Sequence, residues 1–234
     1  MNKYNILNLE VDNLSYTQII DYIYNSSSQV IISSVNPEIT LQCDKNAKLR
    51  EIINHSTLKI ADGLGIVWAI NKIYKNRVER ITGIDLMEEI LSSKLGNKNV
   101  FLYGSLDGVA EQAMKNLNKK YNCNIVGALS GYVQDNEKVI ETINQSGAEI
   151  VFVGLGCPRQ EFWIENNKKS LPNVMLFMGV GGSFDVLSGN IKRAPKWMQN
   201  FHLEWLYRVI IEPKRIVRQL SLFRFVFKIL FSKS

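Results

Sequence analysis

Ala61-Asp62-Gly63-Leu64-Gly65 sets one carboxylate in a glycine turn between a strand-like run, Thr57-Leu58-Lys59-Ile60, and an apolar run opening with Ile66-Val67-Trp68. An acid at the carboxyl end of a strand stands where open α/β sheets bind their ligands, and a lone acid there suits general-base chemistry. Asp62 would equally serve as the N-cap of the following helix, and the turn alone does not choose. A second cluster, Gly154-Leu155-Gly156-Cys157-Pro158-Arg159-Gln160-Glu161, gathers a glycine turn, a helix-starting proline, a guanidinium, an amide and a carboxylate. A phosphate or sugar could be held there by the helix N-terminus, with Arg159 or Gln160 assisting, although an ordinary turn with a solvated face has the same composition. Ser34-Val35-Asn36-Pro37-Glu38 adds a hydroxyl and an amide of the kind that orient sugar hydroxyls. Helix capping by Asn36 and strand termination by Ser34 would need no ligand.

Several chemistries lack their parts. No DxD triplet occurs, and the acids do not pair with His55 or His202 at metal-ligand spacing, so no metal is expected. A departing diphosphate would then need arginine, with Arg80 and the C-terminal arginines available. Cys157 has no histidine partner and is a poor candidate nucleophile. Neither Gly154-Leu155-Gly156 nor Gly179-Val180-Gly181-Gly182 completes GxGxxG, and GxxxxGK[ST] is absent, which disfavours nicotinamide enzymes and P-loop ATPases. Glycine turns before helices, at Gly63, Gly104, Gly154, Gly156, Gly181 and Gly182, still suit a nucleotide diphosphate.

The elements that would position these residues alternate regularly. Strands are predicted at Tyr4 to Val11, Gln29 to Ser33, Val100 to Tyr103, Asn124 to Val126, Glu149 to Val153 and Val174 to Met178. Helices are predicted at Tyr16 to Tyr24, Pro37 to Ile53, Asp107 to Lys120, Asn136 to Gln145 and Pro158 to Lys169. Thr82-Gly83-Ile84-Asp85 reads as a capping box, giving Asp85 a structural role. Strand, glycine and helix repeated in this order predict a Rossmann-like, largely parallel sheet covered by helices. Alternation stops near Gly189, so residues 1–190 are taken as the core domain and 191–234 as a helical appendage.

The 234 residues are 46% hydrophobic with a net charge of +6, enough for a substantial core. Three dispersed cysteines argue against a disulfide framework or zinc site and for a reducing cytoplasm; no secretory signal or run of roughly 20 apolar residues occurs. The charge is local: from Lys192 onward ten Lys and Arg face two Glu, a net +8, leaving −2 for everything before. Drawn as a helix, Lys214 to Lys233 gathers Lys214, Arg218, Arg224 and Lys228 on one arc and covers the remainder with apolar residues. Such a helix fits an anionic membrane surface; the alternative is docking on the core or on another subunit, with the lysines solvated. Nucleic acid is disfavoured, since the aromatics do not interleave with the arginines.

Together with Arg80-Ile81-Thr82-Gly83, Phe101-Leu102-Tyr103-Gly104, Gly179 to Asp185, Arg193-Ala194-Pro195 and Glu204-Trp205-Leu206-Tyr207-Arg208, these motifs stand in the order expected of the WecG/TagA/CpsF glycosyltransferases, which the chain resembles along almost its whole length. The resemblance implies an inverting, metal-independent transferase without cofactor. It would move an N-acetylhexosamine-type sugar from UDP to a polyprenyl-diphosphate-linked acceptor at the cytoplasmic face of the membrane. In the teichoic-acid branch these are UDP-N-acetylmannosamine and undecaprenyl-diphosphate-N-acetylglucosamine. By motif Asp62 is implied as general base and Asn36 as a sugar contact, with Arg80 and Gln160 as polar pocket residues. Ser34 stands where the family commonly has threonine. The appendage is implied to dock on the membrane and bring an arginine over the diphosphate, with Arg215, Arg218 and Arg224 as candidates. Another donor (UDP-N-acetylmannosaminuronic acid or UDP-glucose), a non-catalytic UDP-sugar-binding scaffold and a homo-oligomer stay open.

Overall fold

The computed structural model describes residues 2–201, 203–211 and 216–231, and the side chains of all of these except 200, 208 and 216–220. Its centre is a six-stranded sheet of β3 (Val30–Val35), β4 (Leu58–Ala61), β5 (Asn99–Gly104), β6 (Asn124–Leu129), β7 (Ile150–Gly154) and β8 (Leu176–Gly179). The strands run in the order β4-β3-β8-β7-β5-β6 and every pairing is parallel. The Rossmann-like expectation therefore holds. Both faces are covered, which is why β7 is buried at every position and reads as an unbroken apolar run. Along β5 the pleat sends Val100 and Leu102 into a layer with α1 (Tyr16–Asn25), α5 (Gly83–Ser92) and α6 (Val109–Lys120). It sends Phe101 and Tyr103 into the opposite layer with α7 (Asn136–Gln145) and α8 (Arg159–Asn167).

Two predicted elements are each broken in two. Tyr4 to Val11 is a hairpin, β1 (Lys3–Ile6) with β2 (Leu9–Asp12), because Leu7 and Asn8 both adopt positive φ, 50° and 68°. A two-residue turn with both residues left-handed matches the twist of the flanking strands. The hairpin shields edge strand β4, whose Lys59 N–H donates to Asp12 Oδ2 at 2.7 Å. Pro37 to Ile53 divides into α2 (Pro37–Lys45) and α3 (Ala47–His55), since Asn46 leaves the helical conformation and its Oδ1 accepts the Leu49 N–H. Apolar periodicity runs through the break and conceals it.

The chain leaves β5 toward β6 on one side and β7 toward β8 on the other, which opens a crevice at the carboxyl ends of β5 and β7. Gly104 and Gly154 are paired there. Gly104 has φ +140°, and a Cβ on it would lie 2.4 Å from the Gly154 carbonyl carbon, so only glycine fits.

After β8 come α9 (Ser183–Leu187), α10 (Lys196–Asn200), α11 (Glu204–Ile211) and α12 (Ile216–Phe231). Helix α12 packs on α2 and on α4 (Leu64–Tyr74), with Phe225 fully buried and Ile229 nearly so among Ile39, Cys43, Ile66 and Ile70. Four of its described apolar residues, Phe223, Phe227, Leu230 and Phe231, are exposed. The helix thus combines a docked edge with an uncovered aromatic face. Among the described residues no helix is long and apolar enough to cross a membrane.

Candidate functional site

The sheet's carboxyl edge opens into a cavity of about 850 Å³. Helices α2, α4, α5 and α8 begin at this edge, so the partial positive charge of several helix N-termini converges on it. Asn36 and Thr82 cap α2 and α5 through the N–H groups of Ile39 and Asp85. The N-caps of α4 and α8, Gly63 and Pro158, make no side-chain cap. Asp62 is therefore not the N-cap of α4. Its N–H extends the ladder to Val35 O at 2.9 Å, and its partly exposed side chain lines the cavity. The glycines beside it divide two tasks. Gly63 takes φ +92° facing open space, whereas Gly65 lets helices meet, since a Cβ there would sit 2.4 Å from Pro37 Cγ and 3.2 Å from Leu222 Cδ1 of α12.

Ser34, Asn36, Asp62, Gly63, Arg80, Gly154, Gly156, Arg159, Gln160, Gly181 and Gly182 all line this cavity, so residues drawn from separate strand ends meet. Gly104 does not line it. Its close packing on Gly154 puts it behind the wall, and the lining residue is Ser105, in the left-handed region at φ 60° with its N–H on Gly154 O. Of the diphosphate candidates, Arg215 and the side chain of Arg218 lie outside the described residues. Arg224 is exposed and not in the cavity wall. Phe225 and Ile229 face the core, and at 100° per residue position 224 is turned away from 229. From α12 the wall receives Ser221 and Leu222 instead.

Several sequence candidates have protein partners, Asn36, Arg80 and Gln160 among them. Asn36 Oδ1 is occupied as a cap at 2.9 Å from the Ile39 N–H. Arg80 stands 3.8 Å from Glu204, which also receives Arg193 Nε at 3.1 Å. Buried Gln160 accepts the Gly181 N–H at Oε1, 3.0 Å, and donates from Nε2 to Glu161 Oε1, 2.8 Å. Arg193 belongs to the basic tail by sequence yet folds inward, pairing with Asp85 and with Glu88 at 3.3 Å as well as Glu204. Burial works to lower its pKa, but the hydrogen bond and charge of Asp85, joined by Glu204, outweigh this and raise it. Asp85 thus has a second role besides the Thr82 contact: it anchors the segment leading into α11.

Ser105, Thr82, Asp185 and Glu204 were not among the site residues expected from sequence. Ser105 Oγ donates to Asp185 Oδ1 at 2.8 Å across the cavity floor. The available signals were a serine directly after the strand-ending Gly104 and an acid, Glu204, inside a basic tail. Burial first, and then the Glu161 charge, push the Cys157 thiol well above its ordinary pKa, so it is a weak nucleophile. Among the described residues no group of three or more His, Cys, Asp or Glu is placed to hold a metal ion.

The family model described as the glycosyl transferase WecG/TagA/CpsF family matches residues 4–234, which includes every element of the cavity described above. The parallel sheet, the strand-end acid and the glycine turns thus lie in one family's frame, and the chain belongs to the WecG/TagA/CpsF family of glycosyltransferases.

Proposed function

We propose that the protein is an inverting, metal-independent transferase that moves N-acetylmannosamine from UDP to undecaprenyl-diphosphate-N-acetylglucosamine in teichoic acid or related surface-polymer synthesis. One observation carries the reading: Asp62 shares a cavity with Ser34, Arg80 and Arg159 at the carboxyl edge of the sheet. In this reaction Asp62 takes the proton of the acceptor hydroxyl as its oxygen bonds to the donor C1, and the C1–O bond to UDP breaks from the opposite face. The electron pair leaves on the β-phosphate, where arginine and helix N-termini offset the charge. Ser34 and Asn36 orient sugar hydroxyls. The basic appendage, with the exposed aromatic face of α12, holds the enzyme at the inner membrane surface where the acceptor resides.

The test is UDP release with purified lipid-linked acceptor, run over a panel of UDP-sugars and with chelator. Release is expected with UDP-N-acetylmannosamine, only when acceptor is present, and undiminished by chelator. Asp62→Asn should lower turnover by about two to four orders of magnitude. Unchanged turnover in Asp62→Asn removes that residue as base, and UDP binding without transfer to any acceptor replaces the enzyme with a sugar-nucleotide-binding scaffold.

A further inference from the structure

Gln160 lines the cavity, yet its amide serves the protein first. Gly181 N–H is a fixed backbone donor, so the Gln160 oxygen must face it, and Nε2 is left needing an acceptor in a buried place. Glu161 Oε1 supplies that acceptor at 2.8 Å. Glu161 is itself buried, and the Cys157 thiol lies beside its carboxyl. Burial pushes its carboxyl above the ordinary range, opposed by hydrogen bonds from Gln160, from its own backbone and from the Cys157 thiol. The room for this chain of bonds is made by Gly179, where a Cβ would lie 2.4 Å from Gln160 Nε2. The chain ends on a turn in which Gly181 takes φ +51° and in which Gly179, Gly181 and Gly182 all line the cavity.

We propose that Glu161 is a positioning residue: by accepting from Gln160 it fixes the Gln160 amide, and the amide holds the Gly179–Gly182 turn in the shape that receives the donor diphosphate. Gln160 then acts through the turn, and one N–H of its Nε2 remains for the cavity. The ligand part of this inference rests on the UDP-sugar reading above, whereas the turn itself can be observed without ligand.

The experiment compares full-length wild type with Glu161→Gln, Glu161→Met and Gly179→Ala, reading amide hydrogen exchange at Gly181 by NMR and UDP affinity by calorimetry. Glutamine at 161 keeps a carbonyl acceptor, so Gly181 exchange and UDP affinity should stay within about threefold of wild type. Methionine removes the acceptor, and alanine at 179 displaces the amide by contact. Each should speed Gly181 exchange and weaken UDP binding by about tenfold, while core amides such as Val151 and Phe177 exchange as before. A Glu161→Met protein with wild-type exchange at Gly181 overturns the proposal, as does a Glu161→Gln protein that loses as much as Glu161→Met. Faster Gly181 exchange in a protein whose wild type binds no UDP supports the positioning role and overturns the donor reading alone.

Discussion

Phe225→Ala should detach α12 without unfolding the sheet. Phe225 is 0% exposed and Ile229 7%, and these two are the fully described residues through which α12 enters the core. Burying such side chains contributes about 1.5–3 kcal/mol each, hence roughly 3–6 kcal/mol of gross docking energy before side-chain ordering is subtracted. Truncating a core phenylalanine costs about 3–5 kcal/mol where the surroundings cannot collapse. The loss is comparable to the docking term of the two buried, described residues, so the released form of α12 gains population. The Lys228 contact with Asp44 is a surface ion pair, worth about 0–1 kcal/mol, and cannot restore the balance.

Hydrogen exchange followed by mass spectrometry should show the 216–231 segment losing protection by at least about a hundredfold, with peptides from β5, β7 and β8 unchanged. Phe223→Ala, at a position 73% exposed, is the control and should leave both alone. If α12 and the central strands lost protection together in Phe225→Ala, the helix would be part of one cooperative core and this reasoning would be refuted. A deletion from Ile191 is a poorer probe, because it strips the cover from Ile39, Cys43 and Ile66 as well as removing the basic residues.

Gly104→Ala should lower stability by about 3 kcal/mol or more in denaturant unfolding, because its Cβ would meet the Gly154 backbone, while Gly63→Ala, with nothing within 4 Å, should cost only the positive-φ strain of about 1–2 kcal/mol. The raised carboxyl pKa of Glu161 means that the native state holds a proton the unfolded chain has released; its favourable contribution is complete below the unfolded pKa, near 4.5, and is lost as pH rises toward the folded value. Glu161→Gln should therefore gain stability relative to wild type on going from pH 5 to pH 8, as read by urea midpoints, and a pH-independent difference would contradict this assignment. Glu204→Gln should weaken the tie between α11 and α5 by removing the carboxylate shared by Arg193 and Arg80, giving faster exchange in α11 peptides at constant core stability. Serine at Phe223, Phe227 and Phe231 together should reduce binding to anionic vesicles at least about tenfold with an unchanged thermal midpoint, since all three are exposed.

Most of the scaffold was legible because a doubly covered parallel sheet writes itself as apolar runs ended by glycine. The hairpin at Leu7-Asn8 and the break at Asn46 were not, since each depends on one residue's φ and ψ and leaves the hydrophobic period intact. Strand-end residues of the site could be found for a related reason: topology alone brings carboxyl ends to one edge, so Ser34, Asp62 and Gly154 converge whatever their neighbours do. What sequence could not supply was pairing across long separations. Arg193 counts as a tail cation in any charge sum, yet Asp85, Glu88 and Glu204 surround it, and Arg80 stands against that same Glu204. An anion entering the cavity must compete with Glu204 for Arg80. Arg159, in contrast, is exposed, lines the cavity and donates to the Gly131 carbonyl at a long 3.5 Å. Among the described arginines of the wall it has the least to surrender on meeting a diphosphate. Arg159→Met should therefore weaken UDP binding more than Arg80→Met at equal ionic strength, and an equal or reversed effect would refute this reading.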